Sequence, residues 1–149
     1  VLKDGLRIMP YMMEEGDDAI IAARLRELMG KPHVLPAPSV LEPARADVSG
    51  EWAVDVRYVF GCSAYTAALT QEGNALRGEL RTPFTVSPIE GTISGSAVTW
   101  GAVLGYESSR TRYAFTGEVT DGVMRGVVTL GEYGTADWVA RPAKAAADA

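Results

Sequence analysis

The chain is poor in the residues that most enzyme chemistry draws on. Its 149 residues include one cysteine, Cys62, and one histidine, His33. A single cysteine excludes an internal disulfide and a Cys-based zinc site, and it agrees with an expected cytoplasmic location. Nothing around Cys62 in the sequence marks an activated thiol, so it reads as a passive strand residue. His33 sits among prolines, and a Ser-His-Asp or Cys-His arrangement would have to borrow it from there. A solvated linker histidine is the expectation. Catalytic residues and metal ligands are therefore expected to be none.

Long apolar runs are also missing. No stretch approaches the roughly 18 residues of a membrane span, and no charged segment leading into an apolar core and cleavage site opens the chain. Neither a membrane span nor a signal peptide is expected. Positive charge is in deficit, with 14 basic against 19 acidic side chains and a net charge of −5. The deficit is spread over both halves, so no basic patch for phosphates is present and nucleic acid is not an expected partner. No Gly-x-x-x-x-Gly-Lys or strand-linked Gly-x-Gly-x-x-Gly loop occurs. The acidic pairs Glu14/Glu15 and Asp17/Asp18 read as helix-start charge rather than as an acid–base pair.

Glycine, by contrast, recurs in a pattern. The phrase apolar-x-Gly-x-apolar appears at Leu76–Leu80, Ile89–Ile93, Phe115–Val119 and Met124–Val128. Each copy lies in an alternating stretch that reads as a strand. Glycine weakens a strand interior, so a repeated one needs a bend, a bulge or a close backbone approach. Tight curvature in a small closed sheet supplies such a reason.

From Gly50 onward the alternation predicts eight strands, at about 50–60, 62–71, 75–82, 84–94, 97–105, 110–120, 123–131 and 135–141. Glu72-Gly73-Asn74, Ser94-Gly95-Ser96 and Asp121-Gly122 are hairpin turns. The predicted fold class is all-β: an eight-stranded antiparallel up-and-down barrel over 48–141. Closure is expected because it removes exposed edges. Parity puts Trp52, Val54, Val56, Tyr58 and Phe60 on the inner side of the first strand, opposite Asp55 and Arg57. Tyr65 with Leu69, Trp100 with Leu104, Tyr113 with Phe115, and Trp138 also face inward. Arg77, Glu79, Arg112, Glu118 and Arg125 belong outside.

Inward aromatics are the candidate binding residues: Trp52, Tyr58, Tyr65, Trp100, Tyr113, Phe115 and Trp138. A barrel of this size is either filled by its side chains or holds one small ligand. Both remain open at this point, and an inward tyrosine hydroxyl needs a partner in either case.

The first thirty residues read differently. A short strand is expected over Leu6–Met13, then a helix over Asp17–Met29 with Gly30 as its cap and Pro32 as its stop. Ile21, Leu25 and Leu28 form an apolar stripe widened by Ile20 and Met29. A strand and a helix alone bury too little. The stripe is expected to dock on the barrel, on a second copy of the chain or on an upstream domain. Residues 31–47 carry Pro32, Pro36, Pro38 and Pro43 and read as an extended linker. Residues 142–149 read as a frayed tail.

Two resemblances follow from these residues. Gly50-Glu51-Trp52 resembles the Gly-x-Trp opening of lipocalin-like barrels, in which the tryptophan closes one end. Arg7-x-x-Pro10-Tyr11, then Gly16-Asp17-Asp18 and the amphipathic helix, resembles the C-terminal strand and helix of fold-type I pyridoxal-phosphate enzymes. The similarity is to bacterial proteins of the selenocysteine-synthase-like group. Some of these carry a lipocalin-like barrel ending in Gly-Glu-Tyr and Ala-x-Trp, as Gly131-Glu132-Tyr133 and Ala136-Asp137-Trp138 do here. The resemblance implies an accessory barrel on a larger enzyme, with residues 1–30 a remnant of the small domain, serving assembly or small-molecule binding. It implies no cofactor in this chain. The family's pyridoxal-phosphate lysine lies far upstream, and Lys3, Lys31 and Lys144 are in no such context. A free-standing carrier of an apolar small molecule is the alternative.

Overall fold

The computed structural model of the protein describes residue 8 and residues 11–32, 40–106 and 109–143. The chain forms two compact units, 1–39 and 40–149, each taken by itself below.

In the first unit, α1 spans Asp17–Met29, the range predicted. Asp17 and Asp18 sit in its first turn and Arg26 in its last, which suits the helix dipole. Gly30 N–H donates to Arg26 O at 2.9 Å and closes the C-terminus. The helix buries none of its residues fully. Ile21 and Leu25 are half-buried, and Leu28 is exposed. The expected strand over Leu6–Met13 is not found in its described part. Tyr11 and Met12 form a turn, and Met12 adopts a positive φ of 67°, which a strand cannot accommodate. The rest of that strand, and His33 with linker residues 34–39, lie outside the described residues.

The second unit is a closed eight-stranded barrel. Its strands are β1 Gly50–Arg57, β2 Cys62–Glu72, β3 Ala75–Arg81, β4 Val86–Ser94, β5 Ala97–Tyr106, β6 Ser109–Thr120, β7 Val123–Thr129 and β8 Thr135–Pro142. Every neighbouring pair is antiparallel in chain order, and β8 returns to β1. Closure leaves no edge. Strand alternation places Val54, Val56, Leu76, Leu80, Ile89, Ile93, Val98 and Val128 in the interior. No helix among the described residues is long and apolar enough to cross a membrane.

The two ends of the barrel differ. Three hairpins, at 72–75, 94–97 and 120–123, mark the closed end. The chain before β1 crosses it. There Asn74 Nδ2 donates to Glu42 O at 2.6 Å, Arg45 N to Gly95 O at 2.9 Å, and Val48 N to Gln71 Oε1 at 2.9 Å. Residues 40–47, expected as linker, are thus bonded to the barrel. Trp52 lies above this crossing, 5% exposed, and donates from its indole to Val48 O at 2.9 Å. Pro142 ends β8, and Ala143 N donates to Glu51 O, so those two residues of the expected tail belong to the sheet.

The repeated glycines all face inward, where one strand curls tightly over the next. Trp138 on β8 is opposite Gly126 on β7, which is opposite Gly117 on β6. The indole reaches over Gly126 and donates to Thr116 O at 3.1 Å. A Cβ at Gly126 would strike the Thr116 carbonyl. One at Gly117 would strike the Arg125 carbonyl and stand 3.0 Å from Trp138 Cζ2. Gly78 and Gly91 are barred in the same way by Ala68 O and Thr99 O. The repeat is therefore a record of curvature.

Gly126→Ala is expected to lower the unfolding free energy by about 2–3 kcal/mol, since overfilling a packed site forces backbone shifts. Gly101 is the internal control: its Cβ would meet Arg112 and Tyr113 at an ordinary 3.4 Å. Urea unfolding that finds Gly126→Ala no worse than Gly101→Ala would remove close strand approach as the cause of the repeat.

Candidate functional site

The seven inward aromatics divide into three groups by depth. Trp52 caps the closed end. Trp100, Phe115 and Trp138 fill the middle. Trp100 and Phe115 stack at 3.7 Å between centroids, and Trp138 meets both edge-on at 5.7 and 5.4 Å. All three are nearly fully buried. The Trp100 indole N–H has no hydrogen-bond partner among the described residues, and a well-packed aromatic cluster offsets a cost of about 1–3 kcal/mol for such a group. These three side chains pack against one another in the core.

Tyr58, Tyr65 and Tyr113 form the third group, above that cluster. Tyr113 continues the aromatic column, 6.3 Å from Phe115. Tyr58 and Tyr65 share a hydrogen bond between their hydroxyls at 3.0 Å. Burial pushes all three phenols up from their ordinary value. The neighbouring hydroxyls, Ser63 among them, pull in both directions beside that larger effect. The three therefore stay protonated at neutral pH and keep their donor protons.

Over them opens a cleft of about 390 Å³, bounded by the start of β2, the 82–85 turn, the end of β5 and the start of β6. Ligand sites fall at about 300–1,000 Å³, so this is a small one. Tyr65, Tyr113 and Leu104 line it together with Ser63, Thr82, Pro83, Phe84, Thr85 and Thr111. Among the described residues, no charged side chain faces it. Thr82 and Thr85 hold the turn in shape. Thr82 Oγ1 accepts from Phe84 N and Thr85 N and donates to Thr85 O at 3.1 Å. A second depression, about 410 Å³ on the outer wall, is bordered by Asp55, Arg57, Asp137 and Arg141. Two of its charges pair, Arg141 with Asp55 at 3.3 Å.

No family model matches the chain, and no curated protein matches it. The site must therefore be read from its own geometry. Tyr65 and Tyr113 line the cleft, and Tyr58 supports Tyr65 from the side. Trp52, Trp100, Phe115 and Trp138 belong to the cap and core and do not reach it. Phe60, assigned to the interior by parity, is 94% exposed. The strand stops at Arg57, and Tyr58 N–H donates to Gly61 O at 3.1 Å, which turns the chain and throws Val59 and Phe60 outward. Ser63, Thr111 and Thr82 were not among the candidates. The signal for them was present: each shares the inward parity of its strand with an aromatic or apolar neighbour, but at the strand's end. Cys62 is exposed on the rim. Among the described residues, no three His, Cys, Asp or Glu side chains gather in a way that could hold a metal ion.

The raised phenol pKa values have a sign. An unfolded tyrosine ionises near pH 10, while these folded ones hold their protons to higher pH. Their contribution to stability is complete below pH 10 and is lost as pH rises from there through the folded pKa. A series of urea midpoints from pH 8 to 11.5 should fall at the alkaline end. The Tyr65→Phe/Tyr113→Phe variant should fall less steeply; parallel curves would show that these phenols are not perturbed.

Proposed function

We propose that the barrel is a non-catalytic small-molecule-binding module, and that it serves as an accessory domain of a larger pyridoxal-phosphate enzyme. One observation carries the binding half of this reading. The barrel is filled through its lower and middle layers, yet its upper layer changes from apolar bulk to phenols and hydroxyls around an open cleft. A barrel needing only stability would continue its apolar packing to the rim, because buried hydroxyls cost free energy unless partnered. The enzyme half rests on the resemblance of residues 7–29 and 131–138 to the end of selenocysteine-synthase-like enzymes. The pyridoxal phosphate would belong to that upstream part.

Titration with 1-naphthol, a small uncharged aromatic, tests the binding half. Saturable amide shifts are expected at Ser63, Tyr65, Thr85 and Thr111, with none at core residues such as Val98. No saturable shift at the mouth would overturn it. The reading frame upstream of residue 1 tests the enzyme half. A lysine-bearing pyridoxal-phosphate domain is expected there; a start codon directly before residue 1 would instead favour the free-standing carrier.

Assembly is tested through α1. Ile21, Leu25 and Ala22, with Ile8 and Met13, border a mostly apolar recess in the first unit. The proposed partners for this stripe, with Leu28, are the upstream enzyme domain or a second copy of the chain. Ile21→Asp should change the oligomeric state or lower the melting temperature of the full chain. Unchanged sizing and melting profiles would remove any assembly role for α1.

A further inference from the structure

The binding reading can be narrowed to a ligand class, and the narrowing rests on that reading. The hydroxyls of the mouth are not equivalent. Thr82 gives its proton to Thr85 O at 3.1 Å, and Thr85 Oγ1 lies 3.5 Å from Val86 O. They are parts of the turn rather than spare donors. The tyrosines are different. In the Tyr58–Tyr65 bond either hydroxyl can donate; with Tyr58 as the donor, Tyr65 keeps its own proton for another partner. The Tyr113 hydroxyl lies on the same floor, within reach of both. Ser63 is close to Tyr58 and Tyr65. Donor capacity is thus gathered on the floor, where Tyr65 reaches in from β2 and Tyr113 from β6 across the barrel. Between β2 and β6 the lining includes the apolar side chains of Pro83, Phe84 and Leu104.

We propose that the mouth selects uncharged ligands that place a hydrogen-bond acceptor on Tyr65 and Tyr113 and an apolar, planar body against Pro83, Phe84 and Leu104. Carbonyl compounds such as esters, ketones and amides of small aromatics fit this chemistry. An ionised carboxylate would leave water without a cation to meet it, since no described lining residue is basic. An ammonium ion would find no carboxylate among the described lining residues. Either loses solvation that hydroxyls repay only in part. The neutral acceptor sheds far less water and gains a phenol donor held in place by its neighbours.

Four matched probes decide the point: methyl 2-naphthoate, 2-naphthoate, 2-naphthylmethylammonium and naphthalene, each titrated into the full chain at pH 7.5 by NMR. The ester is expected to bind at least tenfold more tightly than either ion. Tyr65→Phe/Tyr113→Phe should weaken the ester at least fivefold and leave naphthalene, which has no acceptor, within twofold. An ion that binds as tightly as the ester overturns the ligand class while the site itself stands. Equal weakening of ester and naphthalene in the variant removes the tyrosines as the recognising donors. Absence of saturable binding for all four probes defeats the binding reading as well. The wild-type series settles the ligand class even if the variant does not fold.

Discussion

Strand closure over a tight curve is the constraint from which the rest of this structure follows. Bringing β8 back to β1 in a barrel of eight strands forces main chains into close approach on the inner face. The chain meets that demand by deleting side chains where strands curl most, at Gly78, Gly91, Gly117 and Gly126. The space freed at Gly117 and Gly126 is not left empty. Trp138 lies over it, bonds to Thr116 O and presents its edge to Trp100 and Phe115. Missing side chains on two strands thus allow the largest one on a third to anchor the core.

Packing of the middle sets the position of the cleft described above. Trp52 is fixed to Val48 beneath, the three-ring cluster lies above it, and the cleft opens over the upper layer. In that layer the interior positions change character. Ala102 and Leu104 on β5 remain apolar, while β2 and β6 contribute Ser63, Tyr65, Thr111 and Tyr113. The cleft is a consequence of this change of residue type along strands whose parity never changes.

Much of this was legible in the sequence. Period-two alternation fixes which face is buried, and glycine-bearing turns fix where strands reverse, so the strand bounds agree to within a few residues. The helix over Asp17–Met29 was equally plain, because acid, apolar stripe and terminal glycine agree. What escaped depends on contacts remote in the chain. Phe60 keeps the parity of an inward residue, but the Tyr58–Gly61 bond ends the strand before it. Residues 40–47 look like linker by composition, yet their partners are Asn74, Ser94 and Gly95, which no local pattern announces. The depth of each aromatic was likewise invisible. Alternation tells in from out; it does not tell floor from mouth.

The crossing of the closed end has a bearing on how such a barrel can be joined to anything else. Residues 40–49 enter beneath the floor, and β8 finishes beside them, with Ala143 bonded to Glu51. Both covalent leads therefore depart from the pole opposite the cleft. Both leads leave the cleft end of the barrel clear. The parity of strand number puts both leads at one pole: an even count of up-and-down strands returns the chain to the end at which it entered.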